Sequence, residues 1–359
     1  MKSRIVTLLL ALVLVLMLVP AVSAQGDPSC LGLSADDCTI LQTATANSEN
    51  MTSFNISYNF NFGLSGLSML APGTSDIMLT SDGGGPFAMD MAMMTPDNPF
   101  AGLQLAMDLN GSLNDGTSEQ SGSFSFVIVD GNFYMQDPTS GQWAGVNLME
   151  LVNSGALEQA GLPITPEMLM GGMAGAEAGS TDPMAALSML GLGDMDPNSL
   201  MNIPGFITNA RLADESMMGQ TMYPFTTTID MAPLFASPEF NQILSGVLET
   251  AGSSDPSMAQ VGPMVAMLLQ NSQLTISTGQ WIGADDMFVH RFTLDINAVI
   301  DLSALMGGAG STSNTAQLPP INFNMSLDVS LSDINAPVSV VAPEGAQIIP
   351  ASTFMGGAQ

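Results

Sequence analysis

Strict alternation of apolar and polar residues constrains this chain more than any other feature. Between 321 and 331, Ile321, Phe323, Met325, Leu327, Val329 and Leu331 alternate with Asn322, Asn324, Ser326, Asp328 and Ser330. Phe54, Ile56, Tyr58, Phe60 and Phe62 repeat the pattern between 54 and 62. Successive side chains of a strand point to opposite faces, so each segment reads as a β-strand with one face buried and the other wet. A helix would scatter the same set around its circumference. Half-buried strands of this kind belong to antiparallel sheets.

The same period places Phe87, Met89, Met91 and Met93 on one face, as it does Leu103, Leu105, Met107 and Leu109, and Phe124, Phe126 and Ile128. Further sets are Tyr223, Phe225, Ile229 and Met231; Leu274, Ile276 and Ile282; and Phe288, Phe292, Leu294 and Ile296. With shorter pieces near 76–80, 132–136, 206–214 and 338–341, the expectation is a sheet of about 11 to 12 strands. Turn-forming residues at 82–86, 114–116, 130–131 and 283–286 are expected to make hairpin connections.

Helical spacing interrupts the pattern twice. Ser237, Pro238 and Glu239 form a helix start, after which Phe240, Ile243, Leu244, Val247 and Leu248 fall on one face. The stretch 146–203 is looser, with a Gly/Met-rich insert at 171–195 that disfavours regular helix. Strands and helices in separate runs, without strand–helix–strand alternation, predict an α+β fold with helices on one face of an antiparallel sheet. The expected division is a signal peptide at 1–24, a disulfide loop and helix at 25–49, one domain at 50–350 and a tail at 351–359.

Compartment and charge narrow the function. Lys2 and Arg4 precede an apolar run, and Val22, Ser23 and Ala24 make a small-residue cleavage site, so a cleaved leader and a secreted, extracytoplasmic protein are expected. Cys30 and Cys38 are the two cysteines, and an even count in an exported chain reads as one disulfide. Residues 27–29 lack the small apolar pattern that precedes a lipid-modified cysteine. The formal charge is −29, and beyond the leader the only basic side chains besides His290 are Arg211 and Arg291. No cationic patch can form, which excludes nucleic acid as a partner.

Catalytic signals are missing. His290, the sole histidine, lies in phase with Phe288 and Phe292 and reads as a structural, hydrogen-bonded residue; no Gly-x-Ser-x-Gly elbow accompanies it. No metal or cofactor is expected. The 30 methionines allow a Cu(I)-binding reading, because thioethers select that ion, but adaptable apolar filling is the stronger reading.

At 127–135 a strand ends in Asp130 and Gly131 and turns into Phe133 and Tyr134, with Trp143 after Gly141. This hairpin resembles the LppX/LprAFG family of exported lipid carriers and related LolA-like proteins. Residues 283–292, with His290 and Arg291, look like a second hairpin of that fold, and 331–346 is similar to its closing strand. The resemblance implies a curved antiparallel half-barrel with helices on its concave face and an apolar cavity between them. The missing lipidation cysteine and the insert at 171–195 depart from it.

The resulting expectation is a non-enzymatic monomer that carries or senses lipids or other apolar small molecules, with transient contact to a membrane or envelope partner. Its cavity is expected to be lined by Met89, Met91, Met93, Leu103, Leu105, Met107, Phe124, Phe126 and Phe225, and by Phe240, Leu244 and Leu248 from a covering helix. The alternatives are an envelope interaction protein with a filled core and the Cu(I) protein. One physical outcome follows from charge alone: self-repulsion should make the melting temperature rise between low salt and about 0.2 M, where the Debye length is about 7 Å. An unchanged Tm would mean that the carboxylates are too dispersed to matter.

Overall fold

The computed structural model describes residues 30–69, 75–95, 98, 100–154, 203–238, 240, 268, 270–301 and 320–356. Its strands are β1 (Ser53–Ser65), β2 (Ile77–Met89), β3 (Leu103–Asn114), β4 (Glu119–Val129), β5 (Asn132–Gln136), β6 (Trp143–Asn147), β7 (Ile207–Arg211), β8 (Glu215–Met217), β9 (Gln220–Asp230), β10 (Gln273–Gly283), β11 (Val289–Ile300), β12 (Ile321–Ser332) and β13 (Gln347–Ile348). They form one open sheet ordered β13-β6-β5-β4-β3-β2-β1-β12-β11-β10-β9-β7, with β8 paired to β9. Every pairing is antiparallel except that of β13 with β6. The α+β class expected from the alternation is the class the chain adopts.

Two meanders meet at β1. One runs outward through β2 to β6; the other starts at the far edge and returns through β9 to β12, where Asn55 lies opposite Ser332 and Ser65 opposite Asn322. Asp130 and Gly131, at φ 54° and 72°, make the tight β4–β5 hairpin, since only such positive values match the twist of its strands.

Among the described residues four α-helices, α1 (Ala35–Ser48), α2 (Leu148–Asn153), α3 (Met231–Ala236) and α4 (Ala351–Gly356), accompany the sheet. Ser34 caps α1 by accepting from the Asp37 N–H at 3.1 Å. All four pack on one face, called inner here. Leu151 and Val152 of α2 and Ala351 of α4 join Tyr58, Phe60, Leu109 and Phe126; Leu234 of α3 meets Ile229 and Leu274; Leu41 and Ala44 of α1 meet Phe225 and Ile282. Cys30 and Cys38 form the disulfide ahead of and within α1.

The outer face carries the polar half of the alternation except over β4 and β5. There Val338 and Val340 lie on Val127, Val129 and Tyr134, and the chain goes on to add β13 to the β6 edge. The C-terminal segment thus crosses the outer face, pairs at the rim and returns to the inner face through Ala351, whose N–H donates to Glu150 at 3.0 Å.

Several expectations are corrected. The run 82–86 is not a turn; it lies inside β2, where glycine is required because a Cβ at Gly83 would strike Tyr58 and Leu109, and one at Gly84 the Ile56 carbonyl. Residues 338–341 are not a strand. The strand number exceeds the expectation because β8 and β13 are three and two residues long, too short to show a period. Leu109, 1% exposed among Tyr58, Phe60 and Phe126, is a keystone of the main core. Leu109→Ala should cost about 2–5 kcal/mol in chemical denaturation; a loss below about 1 kcal/mol would show the site to be loosely packed.

Candidate functional site

Register converts the alternation into rows that run across the inner face. One row reads Leu113, Leu79, Phe62, Met325, Ile296, Ile276, Ile229 and Ile207, from β3 through β2, β1, β12, β11, β10 and β9 to β7. Every member is apolar and every member is half-buried. At about 4.8 Å per strand the row is about 34 Å long if measured flat.

The next row reads Phe60, Leu327, Leu294, Thr278, Thr227 and Asn209. Beyond it, Phe124, Leu109, Gly83, Tyr58, Val329, Phe292, Gln280, Phe225 and Arg211 form the row on which the main core is built. Tyr58 is held there by a 2.8 Å hydrogen bond with Ser81, and burial pushes its phenol up.

The residues expected to line one cavity are distributed differently. Leu103, Leu105, Met107 and Phe126 are buried in the main core and Phe124 packs half-buried against it, while Met89 is half-buried at the end of β2. Phe225 belongs to the cluster under α1, and Phe240 to the cluster around α3. Phe124 and Phe225 share a row but stand seven strand spacings apart along the sheet and pack in different clusters. Leu244 and Leu248 lie outside the described residues.

Met91 and Met93 are corrected outright: β2 ends at Met89, and the two stand in a 3-10 turn at 59% and 51% exposure. The cause is Asp90, whose carboxylate accepts from the Ala92 N–H at 2.9 Å and starts the turn. A strand face carrying all three thioethers is therefore not formed. The apolar row was missed because its members belong to separate segments, and only register shows that they align; the individual alternations were its only sequence signal.

Polar chemistry gathers at the α1 corner. Arg211 donates to Asp37 at 2.9 Å and Asp214 at 2.6 Å, and lies over the Tyr223 ring. The hydrogen bond from Ser34, with that from Arg211, holds the Asp37 carboxyl below the usual carboxylate range. His290 Nε2 is 2.9 Å from Asp286 Oδ2 and 2.9 Å from the Gln220 amide. Burial raises the Asp286 pKa, but the Phe288 N–H, His290 and Gln220 together bring it below its ordinary value. Asn47 of α1 donates to the carbonyls of Asp286 and Met287, which ties the helix to this turn. The histidine thus orders a turn; its ring partners are an amide and a carboxylate, not a nucleophile.

Comparison with known proteins gives structural likeness alone. No family model and no curated protein matches the sequence. Among solved structures, LprF from Mycobacterium bovis is 11% identical, covers 87% of this chain and 99% of its own, and has a TM-score of 0.33. Lipoprotein LppX from Mycobacterium tuberculosis is 12% identical over 86% of this chain and 100% of its own, at 0.29. A LolA-superfamily protein from Nitrosomonas europaea is 9% identical over 84% and 94%, at 0.15. These are proteins of the type that the hairpin motifs resemble.

Asp37 and Asp286 have depressed folded pKa values, so their contribution is present above the ordinary carboxylate pKa and is lost as pH falls through the folded values. Amide exchange of α1, corrected for its intrinsic rate, should therefore accelerate relative to β1–β4 as pH drops below about 4. Asp37→Asn should loosen α1 already at neutral pH. Protection of α1 that follows β1–β4 throughout would show that these carboxyls do not hold the helix.

Proposed function

We propose that the protein carries or senses apolar molecules, lipids above all, along the inner face of its sheet. The observation that supports this is the half-buried apolar row from Leu113 to Ile207. A sheet face that served only as core would bury these side chains as fully as it buries Leu109 or Val146. A face meant for solvent would carry polar residues, as the opposite side of the same strands does. Each methylene withdrawn from water contributes about 0.8 kcal/mol, so a long acyl chain laid on the row is held without any charged clamp. Methionine and isoleucine suit such a surface, methionine because its flexible thioether adapts to varied shapes. Export through a cleaved leader and a monomeric, non-enzymatic mode of action belong to the same reading.

Uptake of a pyrene-labelled alkane tests it. The wild-type protein should bind the probe, and Met325→Asp in the middle of the row should weaken binding by about 10-fold or more, since a carboxylate there must be desolvated beneath the ligand. Met91→Asp, in the exposed turn, should leave binding unchanged. A protein that unfolds cooperatively yet takes up no alkane would leave the row as an ordinary, loosely covered core.

A further inference from the structure

We infer that the inner face also holds a receptor for the uncharged polar end of its ligand, where β9 and β10 pass beneath α1; this rests on the carrier reading above. The middle row changes character along its length. Phe60, Leu327 and Leu294 give way to Thr278 on β10, Thr227 on β9 and Asn209 on β7, and Gln280 enlarges the polar patch along β10. Thr227 donates to Asn209 at 2.7 Å, and the Asn209 amide donates to the Leu31 carbonyl at 2.9 Å. These two positions are fixed by each other and by the segment that leads into α1.

Thr278 and Gln280 are different. Both are half-buried, and among the described residues neither side chain has a hydrogen-bond partner. Without a protein partner, the half-buried hydroxyl and amide keep their hydrogen-bonding capacity for a ligand that enters between them, whereas valine and leucine would fill similar volumes and offer none. Leu41 and Thr45 of α1 close the patch from above, leaving a crevice of about 20 Å³. That is room for one hydroxyl or carbonyl group.

Charge then selects the ligand. The crevice lining carries no ionised group. Arg211, the one arginine on this face among the described residues, is engaged by Asp37 and Asp214. A carboxylate, phosphate or ammonium in the crevice would lose its hydration without gaining a counter-ion. A hydroxyl, ester or amide avoids that penalty; a hydroxyl or amide can both donate to and accept from the Gln280 amide, and an ester carbonyl can accept from it. The half-buried row begins one step along the same strands, at Ile276 and Ile229, so an acyl tail can continue directly from the polar end. The ligand class is an acyl chain ending in an uncharged hydrogen-bonding group.

Four probes with one pyrene-labelled acyl chain test the site at pH 8: a monoacylglycerol, a long-chain alcohol, a fatty-acid carboxylate and a lysophosphatidate. The first two should bind at least ~10-fold more tightly than the charged pair. The double substitution Thr278→Val with Gln280→Leu should reduce that preference below about 2-fold while uptake of the pyrene-labelled alkane and the Tm stay at wild-type values. Equal affinities in the wild type, or a preference that survives the double substitution, would overturn the receptor while alkane uptake leaves the carrier reading standing. No uptake of any probe, alkane included, would overturn both.

Discussion

The pairing of β1 with β12 is the interaction on which the rest depends. It joins the two meanders in an eleven-position register from Asn55 opposite Ser332 to Ser65 opposite Asn322. A slip of one residue would exchange the faces of one whole meander relative to the other. The apolar row could then not continue from β1 into β12, because Asn and Ser of one strand would stand beside the apolar positions of the other. The cleanest alternations in the chain sit on these two strands, which is where a register must be specified most strongly.

Most of the sheet was legible from residues alone, because period two is a local signal and the strands obey it. The failures are also physical. The glycines at 82–86 suggest a turn by composition, but the reason for them is the approach of Tyr58 and two neighbouring backbones, a tertiary fact. Met91 and Met93 keep the parity of Phe87 and Met89 and still leave the sheet, since the Asp90 side chain offers the backbone a competing hydrogen bond. Val338 and Val340 alternate like a strand but serve as a cover on the outer face. The individual members of the half-buried row could be read; their alignment could not, because register between β10 and β11 or β1 and β12 is not written in either strand by itself.

The two faces show how one alternating code serves different ends. Polar outward positions bond across strands, as Thr80 does with Ser112 at 2.8 Å, Ser125 with Asp108 at 2.6 Å and Arg291 with Asp328 at 2.6 Å. Except for Arg291 these side chains are short, and tied in this way they lose little rotamer freedom on folding compared with lysine or glutamate. Inward positions divide into a tightly packed part under α2 and α4 and a looser part along the row. Firmness on one side of the sheet is compatible with accessible apolar surface on the other.

The C-terminal strap has a consequence for the order in which the molecule can be completed. β1 to β6 follow one another in the chain and pair with their sequence neighbours, contacts of the local kind that form early. Their outer rim at β6 nevertheless waits for Gln347 and Ile348, and the α2 helix for the N–H of Ala351, about two hundred positions later in the chain. During synthesis the first meander must therefore persist with an unpaired β6 edge until Gln347 and Ile348 are made. Vectorial synthesis makes the strap a timing element: the β6 edge is closed by a segment made about two hundred positions after it.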